Sequence, residues 1–162
     1  MAHLALYPGS FDPFTLGHLD IARRALRLFD AVEIVVAIHP GKTSFMPAGE
    51  RVALIREAAM GIENLSVDSL AGLVAPYARM RGATALVRGI RTACDFGAEA
   101  RMAMANSQLC PGLETVYLLT APAHAHTSSS LVRDTARWGG NLAPFVPPVV
   151  ATALHARFSS KR

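Results

Sequence analysis

The chain has 162 residues, 51% of them hydrophobic and 17% charged, with a net charge of +4 and a pI near 9.6. That length suits one compact domain with a sizeable core. No apolar run is long enough to span a bilayer, the first residues lack the basic-then-apolar order of a signal peptide, and no basic run is interleaved with aromatics, so the expectation is a cytoplasmic protein with no membrane and no nucleic-acid partner. The two cysteines, Cys94 and Cys110, show no metal-type spacing and are expected to be reduced, buried thiols.

Leu4-Ala5-Leu6 opens a first strand over residues 4–7. Tyr7-Pro8-Gly9-Ser10-Phe11-Asp12-Pro13 breaks it into a loop, and a helix is predicted over residues 17–29, with Leu19, Ala22, Leu26 and Phe29 on one face. Its N-terminus offers unpaired amides and partial positive charge, which suits a phosphate. Gly9 and Gly17 let a ligand approach the main chain, and His18 can donate a hydrogen bond into the same space. Residues 32–38 form a strongly β-branched second strand of the kind covered on both faces. A loop over 39–47 carries Lys42, and a helix spans 48–60 with Gly61 as its stop.

A third strand is predicted over 65–69 and a helix over 73–81, with Pro76 in its first turn. Residues 85–87 are a fourth strand that ends in Arg88-Gly89-Ile90-Arg91, where Gly89 is expected to let the chain turn so that both arginines reach one site. The longest helix follows over 92–109, closed by Pro111-Gly112. Residues 115–119 make a fifth strand. A loop over 122–127 leads to a helix over 129–138, and Pro147 opens a final helix.

Strands alternating with helices indicate an α/β fold, a Rossmann-like parallel sheet with helices on both faces, in a single domain over residues 1–162. In such sheets ligands collect at the carboxyl ends of the strands. After the first strand come Ser10 and His18, after the second Lys42, after the fourth Arg88 and Arg91, and after the fifth Thr127-Ser128-Ser129-Ser130. All are phosphate-compatible, and all fall on one edge of the sheet. An arginine directly after an apolar strand is costly to bury unless an anion or a carboxylate meets it; pairing with Asp95 or Glu99 is the structural alternative. The serines read as a helix cap that can double as an anion site. Gly41-Lys42-Thr43 is no P-loop, because Val36 stands where the first glycine belongs. His124 and His126 lack a third ligand partner, so no metal site is expected. No G-x-S-x-G nucleophile elbow is present.

Thr15-Leu16-Gly17-His18 resembles the H/T-x-G-H signature of nucleotidyltransferases. Together with residues 7–13, Lys42, Glu50-Arg51-Val52, Arg88-Gly89-Ile90-Arg91, Asp95-Phe96, Glu99, Asn106 and Ser128-Ser129-Ser130-Leu131-Val132-Arg133, the chain resembles the bacterial phosphopantetheine adenylyltransferase family over nearly its whole length. The resemblance implies transfer of the adenylyl group of ATP to 4'-phosphopantetheine, giving dephospho-coenzyme A and pyrophosphate, with no covalent enzyme intermediate. It implies that His18, Lys42 and Arg91 are catalytic, His18 stabilising the transition state. ATP would be held by Ser10, Phe11, His18, Gly89, Ile90, Arg91, Glu99 and the segment His124, Ala125, His126, Thr127, Ser128, Ser129, Ser130. Phosphopantetheine would meet Ser10, Lys42 and Arg88, with Val74 and Asn106 along its arm. Mg2+ would arrive with ATP, and the assembly would be a homohexamer.

The chain departs from the family pattern at His124-Ala125-His126-Thr127, where an aromatic-Ser-Phe-Ile run is frequent, at Ala98, where a tyrosine is common, and at Ser10, which keeps the hydroxyl of the usual threonine. Two other readings fit the same motifs: a cytidylyl- or nicotinamide-type nucleotidyltransferase, and a non-catalytic nucleotide- or RNA-binding protein.

Overall fold

The computed structural model describes residues 3–159. Among them, five strands form one fully parallel sheet in the order β3-β2-β1-β4-β5, with β1 at Leu4–Gly9, β2 at Ala31–Ala37, β3 at Leu65–Leu70, β4 at Ala85–Ile90 and β5 at Glu114–Leu119. The helices are α1 (Leu16–Ala25), α2 (Ala48–Ala58), α3 (Val74–Arg81), α4 (Ala93–Leu109), α5 (Ser129–Arg137) and α6 (Pro148–Ser159). Each predicted element is present, with boundaries that move by a few residues. The largest change is in α1, which ends at Ala25. Arg27 and Leu28 instead donate to the carbonyls three residues back, a tightened turn that delivers the chain to β2.

Alternation along the central strands divides the core into two layers. Ala5, Tyr7, Val32, Ile34, Val36 and Val87 face the layer built by α1, α2, α5 and α6. Leu6, Val35 and Leu86 face α3 and the end of α4. Helices therefore cover both faces, which is why β2 reads as a continuous apolar run. Of the two cysteines, Cys110 is buried in the second layer, but Cys94 is exposed in the first turn of α4. That corrects the expectation of two buried thiols.

The reversal in strand order falls between β1 and β4. The β1–β2 ladder pairs Leu4 through Gly9, whereas β1 and β4 pair only at Ala5–Ala85 and Leu6–Leu86. Beyond Leu6 the two strands part and open a cleft at their carboxyl ends. Arg88, Gly89 and Ile90 belong to β4, so Gly89 makes no turn there. Its missing side chain serves packing: a Cβ would lie 3.3 Å from Ile21 Cγ1 on α1.

One charged residue sits in the core of β2. Glu33 is 1% exposed, and its carboxylate accepts from Tyr77 and from the guanidinium of Arg81, whose Nε lies 3.0 Å away. Glu33→Gln keeps the shape and removes the charge. It is expected to lower the unfolding free energy by about 1–3 kcal/mol, measured by urea denaturation followed by circular dichroism.

Candidate functional site

The loop that leaves β1 carries no regular structure, so its backbone groups need partners from elsewhere. One carbonyl oxygen at the end of β1 and three in the loop find side-chain donors. Arg88 donates to Pro8, Arg51 to Ser10 at 2.5 Å, Arg133 to Asp12, and the Ser129 hydroxyl to Pro13 at 2.9 Å. Phe11 stands at φ 47°, and its ring folds back over Gly9, where a Cβ would lie 2.7 Å from the ring. Gly9 is thus required by the turn itself.

Thr15 caps α1. Its hydroxyl accepts from the His18 amide at 3.3 Å, and its own amide donates to His18 Nδ1 at 3.0 Å. A ring nitrogen that accepts a hydrogen bond carries no proton, so the proton of the neutral ring sits on Nε2. The imidazole stacks on Phe14 with centroids 5.7 Å apart and meets the edge of Phe11 at 5.1 Å. Burial, then the Arg91 and Arg88 cations, pushes its pKa down to about 4. His18 is therefore a fixed, neutral donor at physiological pH.

A cavity of about 620 Å³ opens over this loop. It brings together Ser10, Phe11, His18, Lys42, Arg88, Gly89, Arg91, Glu99, His124, Thr127, Ser128, Ser129 and Ser130 from the carboxyl ends of four strands. Ile90, Val74, Asn106, Ala125 and His126 lie outside its lining. Ile90 is buried at the end of β4, Val74 opens α3, and Asn106 is the buried residue of α4.

The carboxylate alternative weighed for the arginines is realised. Arg88 Nε and Nη2 each lie 2.5 Å from an oxygen of Glu99. Burial works against the Arg88 charge, but the Glu99 hydrogen bonds and charge outweigh it and hold the pKa above the usual arginine value. Arg91 stands 3.7 Å from Asp95 and donates to the Thr127 carbonyl at 3.3 Å. Slight burial of Asp95 is outweighed by the Thr92 and Arg91 amides, which hold its pKa below the usual range while it caps α4. The serine hydroxyls are also engaged: Ser128 caps α5 through the Leu131 amide, Ser129 donates to Pro13, and Ser130 accepts from Arg133. What α5 offers a ligand is its first amides, which lack intrahelical acceptors, together with the hydroxyl protons of Ser128 and Ser130, which only accept in these contacts.

Sequence reasoning gave no site role to Asp12, Arg51 or Arg133, although all three shape the loop. Their signal was a charge inside an apolar pattern: Arg51 precedes the buried Val52 in α2 and is itself 2% exposed. Gly17 also has a contact that spacing could not show, since a Cβ there would lie 3.2 Å from the His124 Cβ. In that segment, His124 Nδ1 and Thr127 Oγ1 are buried without a hydrogen-bond partner.

Residues 6–135 match the cytidylyltransferase-like family. The chain is 51% identical to a phosphopantetheine adenylyltransferase of Clavibacter michiganensis subsp. michiganensis, over 97% of this chain and 98% of that protein. It is 48% identical to one from Synechococcus sp. (strain JA-3-3Ab), covering 96% and 98%, and 42% identical to one from Caldanaerobacter subterraneus subsp. tengcongensis, covering 96% and 97%. Among solved structures, a bifunctional NMN adenylyltransferase/ADP ribose pyrophosphatase from Francisella tularensis superposes with a TM-score of 0.76 at 14% identity, over 98% of this chain. The chain spans 50% of that longer protein, and the likeness is one of fold.

The His18 environment gives a measurable signature. In the ligand-free protein its imidazole is expected to stay neutral, with the proton on Nε2, as the pH falls through the usual histidine range near 6.5. It gains a second proton only near pH 4. An NMR titration of the ring nitrogens checks this.

Proposed function

The chain belongs to the phosphopantetheine adenylyltransferases, within the cytidylyltransferase-like family, and from that premise we propose how its residues carry the reaction. The activity is transfer of the adenylyl group of ATP to 4'-phosphopantetheine, giving dephospho-coenzyme A and pyrophosphate in coenzyme A synthesis. A phosphate oxygen of phosphopantetheine attacks the α-phosphorus of ATP in line. The bond from that phosphorus to the bridging oxygen breaks, and pyrophosphate leaves with the electron pair. The cavity holds cations and donors over the loop, so positioning and charge stabilisation supply the rate.

His18 donates its Nε2 proton in a hydrogen bond to an α-phosphate oxygen as negative charge builds there. The observation that carries this role is the amide of Thr15 on Nδ1, which fixes the tautomer and aim of the ring before substrate arrives. Ser10 and Lys42 orient the attacking phosphate. Arg88, held by Glu99, faces the phosphopantetheine phosphate, and Arg91 with the first amides of α5 takes the triphosphate. Val74 and Asn106, which the family resemblance sets along the pantetheine arm, lie beyond the cavity lining. Asp95 and Glu99 are committed to backbone amides and to Arg88, which suits a magnesium ion that travels on the triphosphate; bound there, it neutralises phosphate charge.

The protein acts in the cytoplasm without a nucleic-acid partner. Among the described residues no helix is long and apolar enough to cross a membrane. It assembles as a homohexamer, supported by the faces a single chain leaves bare: α4 exposes Phe96, Met102 and Met104, and the edge strand β5 exposes Leu119.

Three outcomes are expected. With ATP and phosphopantetheine the protein releases pyrophosphate. CTP in place of ATP, or nicotinamide mononucleotide in place of phosphopantetheine, supports far less. His18→Ala lowers kcat about 10²- to 10³-fold while ATP still binds; an undiminished kcat removes His18 from the mechanism. In light scattering after size exclusion, the mass is expected at about six times the 17.3 kDa chain.

A further inference from the structure

Arg51 lies outside the cavity lining and is 2% exposed, yet it forms no ion pair among the described residues. A buried guanidinium ordinarily has a carboxylate beside it. Here its partners are neutral: Nη1 donates to the Ser10 carbonyl at 2.5 Å, Nε to the Met46 carbonyl at 3.0 Å, and Nη2 to the Ser44 hydroxyl at 3.3 Å. Asp12, which shares these segments, gives its two oxygens to the Phe45 and Met46 amides at 2.6 and 2.9 Å. One cation and one anion thus join the loop that carries Ser10 to the loop that carries Lys42.

The bond to Ser10 has a directional consequence. The Ser10–Phe11 peptide is trans, so its carbonyl and its amide point to opposite sides. With the carbonyl drawn toward Arg51, the Phe11 amide points away from it, and Phe11 lines the cavity. That amide has no acceptor among the described residues. A charged donor on the carbonyl also polarises the peptide and strengthens its N–H as a donor.

We propose that Arg51 is a positioning residue for adenylyl transfer: its buried guanidinium, lacking a direct ion pair, aims the Phe11 amide at the substrate phosphates and locks the Ser10 and Lys42 loops in register. It touches no substrate and acts through these two segments. The inference rests on the adenylyltransferase reading given above.

Arg51→Lys keeps a positive charge, but a single ammonium cannot span the Ser10 and Met46 carbonyls as the fork does. With rates referred to the folded fraction by circular dichroism, kcat is expected to fall about 10- to 100-fold, whereas KM for ATP changes by less than about threefold. A merely structural arginine would lower the melting temperature and leave kcat of the folded protein intact. In NMR spectra of the wild-type protein, the Phe11 amide proton and the Arg51 Nη protons are expected to shift when ATP is added. These signals also decide the matter if Arg51→Lys does not fold. A kcat within about twofold of wild type, or Phe11 and Arg51 signals indifferent to ATP, overturns the proposal. If the wild-type protein binds ATP but releases no pyrophosphate with phosphopantetheine, the adenylyltransferase reading has failed on its own, and the ATP-dependent shifts still test Arg51.

Discussion

The site depends on how the loop after β1 satisfies its backbone. The carbonyl oxygens of Pro8, at the end of β1, and of Ser10, Asp12 and Pro13 in the loop are taken by Arg88, Arg51, Arg133 and Ser129, which come from β4, α2 and α5. A loop held by its own short turns would keep its shape whatever the rest of the chain did. This one keeps its shape only when three distant elements have docked, so the phosphate-facing surface and the tertiary fold form together. The parting of β1 from β4 beyond Leu6 provides the space, and Arg88 bridges it by reaching from β4 to Pro8.

Two kinds of donor then share the cavity. Arg88 and Arg91 are permanent cations, and their charge pushes protonation of His18 further out of reach after burial has already disfavoured it. The consequence is a division of tasks. In the proposed reaction the cations gather anionic substrates over a distance, while the neutral imidazole offers one short-range donor whose direction is set by Thr15. A charged imidazole would bind ground-state phosphates more tightly. A neutral donor responds chiefly to charge that develops within hydrogen-bond reach.

The sheet was legible in the sequence because β2 and β4 are apolar runs bounded by turn residues, and the parallel order followed from their alternation with helices. The cluster after the strands was legible for the same reason: topology alone brings the strand ends together. Less visible was what each polar group does once there. Ser128, Ser129 and Ser130 read as a cap that doubles as an anion site; Ser128 is the cap, and only Ser129 spends its hydroxyl proton within the protein, on the Pro13 carbonyl, whereas Ser128 and Ser130 accept and keep theirs to donate. Gly89 read as a turn and is a packing glycine beneath Ile21. Local spacing records neither the Ser129 bond nor the Ile21 contact, because both arise from contacts across more than sixty residues. Arg51 was hidden by the opposite effect: in an amphipathic helix a lone arginine reads as solvent-facing unless its neighbours on the wheel are known to be buried.

The two deeply buried charges among the described residues make an instructive contrast. Glu33 lies in the amino-terminal half of β2, and Arg81 and Tyr77 meet it directly. Arg51 lies beside the carboxyl-end loops and has only neutral partners within hydrogen-bond reach. Desolvation penalises both, and selection for stability alone would neutralise both. An unneutralised cation persists where an anion arrives from outside, because its field then favours the bound state over the empty one. The position of Arg51, one peptide away from the cavity wall, puts that field behind the Ser10–Phe11 amide. Its incomplete pairing therefore suits the proposed triphosphate site, whereas Glu33 is paired completely within the protein.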